Sequence, residues 1–182
     1  MSRIRTVLCL GVVALLATAC GGDSSSEGDG FNSADVMFAQ MMIPHHEQAI
    51  ELSDIALDPT VESGAEVQKL AQQIKQGQDP EIAVMTALLT EWGQSLVMDN
   101  SSDHSEMMSG MLTLDDLTSL AELRGGEFDQ AWMAAMIDHH EGAIEMADDV
   151  IADGSNPEAL ALAKAIITAQ QSEIAEMETL LG

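Results

Sequence analysis

Met42-Ile43-Pro44-His45-His46-Glu47-Gln48-Ala49-Ile50-Glu51 returns later in the chain as Met136-Ile137-Asp138-His139-His140-Glu141-Gly142-Ala143-Ile144-Glu145. Four of the five histidines in the 182 residues sit in these two copies. Around the first copy, Phe38, Met42, His45, Ala49, Leu52 and Ala56 recur at spacings of four and three. Ile43, His46 and Ile50 line the adjoining strip, and Glu47, Glu51 and Asp54 lie opposite. That is the apolar seam of a packed helix. Trp132, Met136, His139, Ala143, Met146 and Val150 repeat it around the second copy.

The duplication extends further. Gln78-x-x-Glu81-Ile82-Ala83-x-Met85-x-x-Leu88-Leu89 matches Gln170-x-x-Glu173-Ile174-Ala175-x-Met177-x-x-Leu180-Leu181 at an offset of 92, against 94 for the histidines. The two-residue difference falls in an inter-helix loop, where deletions are tolerated. The repeated unit is therefore a helical hairpin, and two hairpins make an all-α four-helix bundle.

The first helix is expected from Asn32 or Ser33 to Leu57, with Pro44 kinking it before the histidines. The second runs from about Gly64 to Trp92, its inner side being Val67, Leu70, Ile74, Gln78, Ile82, Met85, Leu89 and Trp92. In the connector, Thr113 and Asp116 form a capping box that opens a short helix to Leu123, with Gly125-Gly126 expected to stop it. A third helix is expected over Phe128–Ile151. Asn156-Pro157 opens a fourth, which buries Leu160, Ile166, Ile174, Met177, Leu180 and Leu181. Antiparallel helices of equal rise put Gln78 and Gln170 level with the histidines, and Glu81 and Glu173 about one turn away.

Hydrophobic residues make up 46% of the chain, aromatics only 3%, and tyrosine is absent, so aliphatic residues and methionine must fill the core. The net charge of -25 repels nucleic acid and anionic lipid and attracts cations. At the N-terminus, Arg3 and Arg5 precede an apolar run, Val7 to Ala19, too short to span a bilayer comfortably. It ends Leu16-Ala17-Thr18-Ala19-Cys20, a lipobox pattern; an ordinary cleaved signal peptide with an incidental cysteine is the plainer alternative. The expected organisation is a signal peptide at 1–19, a tether at 20–31 beginning with lipidated Cys20, and a bundle domain at 32–182. That domain divides into repeat one (32–92), a connector (93–127) and repeat two (128–182). Cleavage removes both N-terminal arginines and Cys9, leaving a net charge of -27 and no free thiol in the folded domain.

A soft-metal site must then come from His and Met. Adjacent residues on a helix point about 100° apart. Seam residues His45 and His139 thus face the bundle axis, while His46 and His140 flank it. Four imidazoles are a poor core filling unless each finds partners, and imidazole binds copper, zinc, nickel or iron. Met42 and Met136 lie one turn away, with Met41, Met37 and Met133 as further candidates. Methionines at helical spacing are otherwise ordinary packing. His104, Met107, Met108 and Met111 cluster on the polar connector as a second site. Thioether with imidazole points to a copper ion. A di-iron centre needs Glu-x-x-His, which is absent, and no nucleophilic constellation, phosphate loop or basic patch is present.

At these residues the chain resembles a bacterial family known as domain of unknown function 305, marked by a duplicated Met-Ile-x-His-His-x-x-Ala-Ile-x-Met helix. Phe128-Asp129 and the Met-Met-x-Gly-Met element at Met107, Met108 and Met111 also fit. Leu52 departs from the pattern where the second copy keeps Met146. The resemblance implies a ferritin-like bundle, and some relatives are periplasmic copper-binding proteins linked to copper resistance, using His and Met ligands.

The expected protein is a non-enzymatic, lipid-anchored, extracytoplasmic copper binder of the cell envelope that buffers or delivers the ion. It binds no nucleic acid, and a metal-trafficking protein is a compatible partner. The alternatives are a metal-dependent redox enzyme and a structural or partner-binding lipoprotein. Histidine protonation is expected to weaken binding below about pH 6.

Overall fold

The structure is a computed structural model that describes residues 30–98 and 108–182. Cys20, His104 and Met107 lie outside the described residues. Within them the chain is helical without strands: α1 (Ser33–Leu57), a 3-10 turn (Pro59–Val61), α2 (Ala65–Glu91), α3 (Leu114–Glu122), α4 (Gly125–Asp153) and α5 (Pro157–Leu181). Among the described residues no helix is long and apolar enough to cross a membrane.

Local chemistry sets the helix ends. Asn32 caps α1, accepting from the N–H groups of Ala34 and Asp35, while Asp35 accepts from the Asn32 N–H. Thr113 and Asp116 form the expected capping box on α3, and Asn156 with Pro157 opens α5. Two expectations need correcting. Gly125-Gly126 does not stop α3, which ends against Leu123; instead the pair forms the first turn of α4, with Gly125 at φ 56. Leu180 and Leu181 are not core: at the end of α5 each is 40% exposed.

Helix α1 packs on α2, α4 packs on α5, and α1 and α4 form the central contact between hairpins. The α1–α4 pair is antiparallel: Asp35 near the start of α1 meets the loop after α4, while Trp132 near the start of α4 donates from Nε1 to the Leu52 carbonyl at 2.8 Å. The core falls into two apolar halves. One gathers Leu52, Leu70, Ile74, Trp132, Met136 and Met177; the other Phe38, Met42, Met85, Leu89, Val150 and Ile166. In every long helix the residues between these halves are polar: His45 and His46 on α1, Gln78 on α2, His139 and His140 on α4, Gln170 on α5. All six are buried. A polar layer therefore cuts the bundle at mid-height.

One further symmetric device braces the hairpins. Fully buried Asp35 accepts from the backbone N–H groups of Ser155 at 3.0 Å and Asn156 at 3.1 Å. Its repeat counterpart Asp129 accepts from the Gly64 N–H at 2.9 Å. Each His helix thus opens with a carboxylate that caps the other hairpin's turn. The approach is close: a Cβ at Gly154 or Gly64 would lie 2.6 Å from the carboxylate it meets.

Candidate metal centre

The two seam histidines meet across the α1–α4 interface. Their ring centroids are 3.8 Å apart and the planes are tilted by 40°. The flanking histidines turn back into their own hairpins. His46 Nε2 lies 2.8 Å from Glu81 Oε2, and His140 Nε2 lies 2.8 Å from Glu173 Oε2. A carboxylate oxygen accepts, so each Nε2 carries the proton and donates. His45 Nε2 lies 3.2 Å from the Ser109 carbonyl, which also only accepts. Three imidazoles are therefore fixed in one tautomer, with the Nδ1 lone pair directed away from the anchor. An anchored N–H on one ring nitrogen and a free lone pair on the other is how metal-binding histidines are usually held.

Among the described residues those lone pairs have no protein partner. Nδ1 of His45, His46, His139 and His140, Nε2 of His139, and both amide ends of Gln78 and Gln170 are buried without hydrogen bonds. A buried polar atom left unsatisfied costs about 1–3 kcal/mol. Nine such atoms among the described residues share this one layer.

Burial keeps the seam histidines neutral. Desolvation, aided by the neighbouring His46 and His140 and opposed by the Ser109 carbonyl, lowers His45 to about 3. Desolvation, then the charges of His45, His140 and His46, push His139 well below the ordinary imidazole value. The His45 carbonyl opposes this, but at no distance and angle that make a hydrogen bond. Protonation of this pair therefore begins far below the pH 6 expected from the sequence.

The connector roofs one side of the layer. Gln48 clamps it, donating from Nε2 to the Leu112 carbonyl and accepting from the Leu112 N–H, both at 2.8 Å. The connector then lies on the backbone of α4. A Cβ at Gly142 would sit 1.9 Å from the Ser109 carbonyl oxygen, and one at Gly110, where φ is 80, 2.3 Å from that of Asp138. Gly142 is the repeat partner of Gln48. One copy grips the strap and the other leaves room for it.

The methionines part company. Met42 and Met136 are fully buried, each in a different apolar half and so on opposite sides of the histidine layer. Met133 is buried in the same half as Met136, while Met37 is 50% exposed. Met41 and Met108 line one cavity. Met111 lines another, beside Ala135 and Asp138, so Met108 and Met111 diverge. Among the described residues no three His, Cys, Asp or Glu side chains are gathered as a ready-made chelate. The imidazoles are paired, and the donors the layer offers are neutral imidazole nitrogens with thioethers above and below.

Sequence reasoning placed Glu81 and Glu173 a turn away, whereas they bond the histidines directly. It missed Gln48, the Ser109 carbonyl and Asp35. Of these only Asp35 left a signal, since Asp35 and Asp129 stand 94 residues apart, as the histidines do.

The family model described as a domain of unknown function, DUF305, matches residues 35–181. The chain belongs to the DUF305 family. Solved DUF305 structures share the fold. A DUF305 fragment from Deinococcus radiodurans is 32% identical with a TM-score of 0.74, covering 83% of this chain and 97% of that one. CopM in its Cu(I)-bound form is 32% identical with a TM-score of 0.67, covering 80% and 94%. CopM in a co-crystallised Ag-bound form is 30% identical with a TM-score of 0.66, covering 80% and 93%. No curated protein matches the chain.

Proposed function

We propose that this protein binds copper outside the cytoplasm, held to a membrane by a lipid on Cys20, and buffers or delivers the ion without transforming a substrate. The carrying observation is the buried histidine layer: three imidazoles anchored through Nε2, with every Nδ1 unpartnered among the described residues and His45 facing His139 at 3.8 Å. Neutral imidazole with nearby thioether and no thiol suits monovalent copper, which accepts few ligands. The family relationship to CopM, known with Cu(I), Cu(II) and Ag, supports the same class of cargo. In this reading His45 and His139 are the first ligands, His46 and His140 join them, and Met42 and Met136 complete the set from either side. The layer is fully buried, which suits storage of an ion better than turnover of a substrate.

Anaerobic Cu(I) titration tests it. His45→Ala and His139→Ala should each remove the tightest equivalent. Unchanged stoichiometry and affinity in both variants sinks the proposal.

A further inference from the structure

A cavity of about 490 Å³ opens between α1 and α2 beside the histidine layer. Pro44, next to His45, and Ile82, next to Glu81, form its inner wall. Three methionines line it: Met41 on α1, and Met98 and Met108 from two stretches of the connector. Glu47, exposed on α1, adds a carboxylate at its edge. The loop carrying Met98 is tied to α1, since Gln40 donates from Nε2 to the Ser95 carbonyl at 2.7 Å.

Methionine usually fills gaps in cores, but here three border open space and none is fully buried. Met98 follows Leu96 and Val97, exposed residues that line the same cavity, and Met108 lies outside both apolar halves of the core. Thioether is a poor partner for water or for hard cations and a good one for monovalent copper and silver. The second repeat differs in sequence here: Ala135 stands at the counterpart of Met41 and Asp138 at that of Pro44, and among the described residues the groove that these two line holds Met111 as its one thioether.

We propose that Met41, Met98 and Met108 form a second metal site, a thioether trap for one Cu(I) or Ag(I) ion. It rests on the copper reading above for the choice of cation only. The site is accessible where the histidine layer is sealed, and Pro44 in the cavity wall adjoins His45 of that layer on α1. It is a place where an arriving soft ion is held before it reaches the imidazoles. The net charge of -25 draws cations in general; the thioethers select the soft monovalent ones.

The test is Ag(I) titration of the full chain, followed by native mass spectrometry and by the ¹³C shifts of the methionine methyl groups. The Met41, Met98 and Met108 methyls should shift together within one equivalent. The triple variant Met41→Leu, Met98→Leu, Met108→Leu, which keeps apolar volume, should bind one Ag(I) fewer than wild type with unchanged helicity. In the His45→Ala, His139→Ala double variant the three methyls should still shift, so loss of the histidine site and loss of this one are read separately. Equal stoichiometry in the triple variant, or methyls that stay still or move at different equivalents, overturns the proposal.

Discussion

The two repeats carry the same histidines and end up with different surroundings. His46 and His140 are matched to the tenth of an ångström, each bonded at 2.8 Å to the glutamate of its own hairpin. The seam pair is not matched: His45 is pinned by the Ser109 carbonyl, whereas both ring nitrogens of His139 lack partners among the described residues. The difference arises outside the motif. Repeat one supplies Gln48 to hold the strap, and repeat two supplies Gly142 to let it pass. The His–Glu hydrogen bonds within each hairpin follow the duplication. Those made to the single, unduplicated connector cannot.

The bracing aspartates give the largest expected contrast. Asp35→Ala removes a fully buried carboxylate and leaves the Ser155 and Asn156 N–H groups of a partly exposed turn without it, and should cost about 3 kcal/mol. Asp129→Ala strands one N–H in a less buried site and should cost about 1 kcal/mol. Urea unfolding of both variants measures the gap, and equal losses would break the asymmetry.

The seam histidines set the next effect. Their folded pKa values lie below the unfolded value of about 6.5, so the unfolded chain takes up protons first as pH falls. Stability of the metal-free protein is therefore present above pH 6.5 and is lost on acidification. For His45 the loss is about 2 kcal/mol between pH 6.5 and 5, and His139 shifts stability in the same direction. It should appear as a difference between wild type and a His45→Gln, His139→Gln variant, which cancels the titration of the carboxylates. A difference that is flat with pH would mean that the imidazoles are solvated.

The smallest effect concerns the strap. Gly142→Ala drives a Cβ into the Ser109 carbonyl, but a connector can lift away, and alanine favours the helix by about 1 kcal/mol. Global stability should change by less than about 1 kcal/mol. The Leu112 amide, held by Gln48 in the wild type, should instead lose its protection from hydrogen exchange. Retained protection would show that the strap is not seated on Gly142.

The helices, their order and the duplication were legible because period and caps are local. The capping boxes at Asn32 and Thr113 and the Asn156-Pro157 start are written in adjacent residues. So was the composition of the middle layer: equal rise along antiparallel helices brings Gln78 and Gln170 level with the histidines, and both are buried there. The residue types alone, imidazole and thioether without thiol, pointed to a soft metal. Pairing was not legible. Which nitrogen of His45 is anchored, and by what, depends on a connector carbonyl 64 residues away. That Met108 joins Met41 and Met98 while Met111 faces the opposite groove depends on how the strap crosses α4. A periodic pattern says which face of a helix is buried. Only the packed chain decides what that face meets, because contacts between distant segments are set by the shapes that close around them.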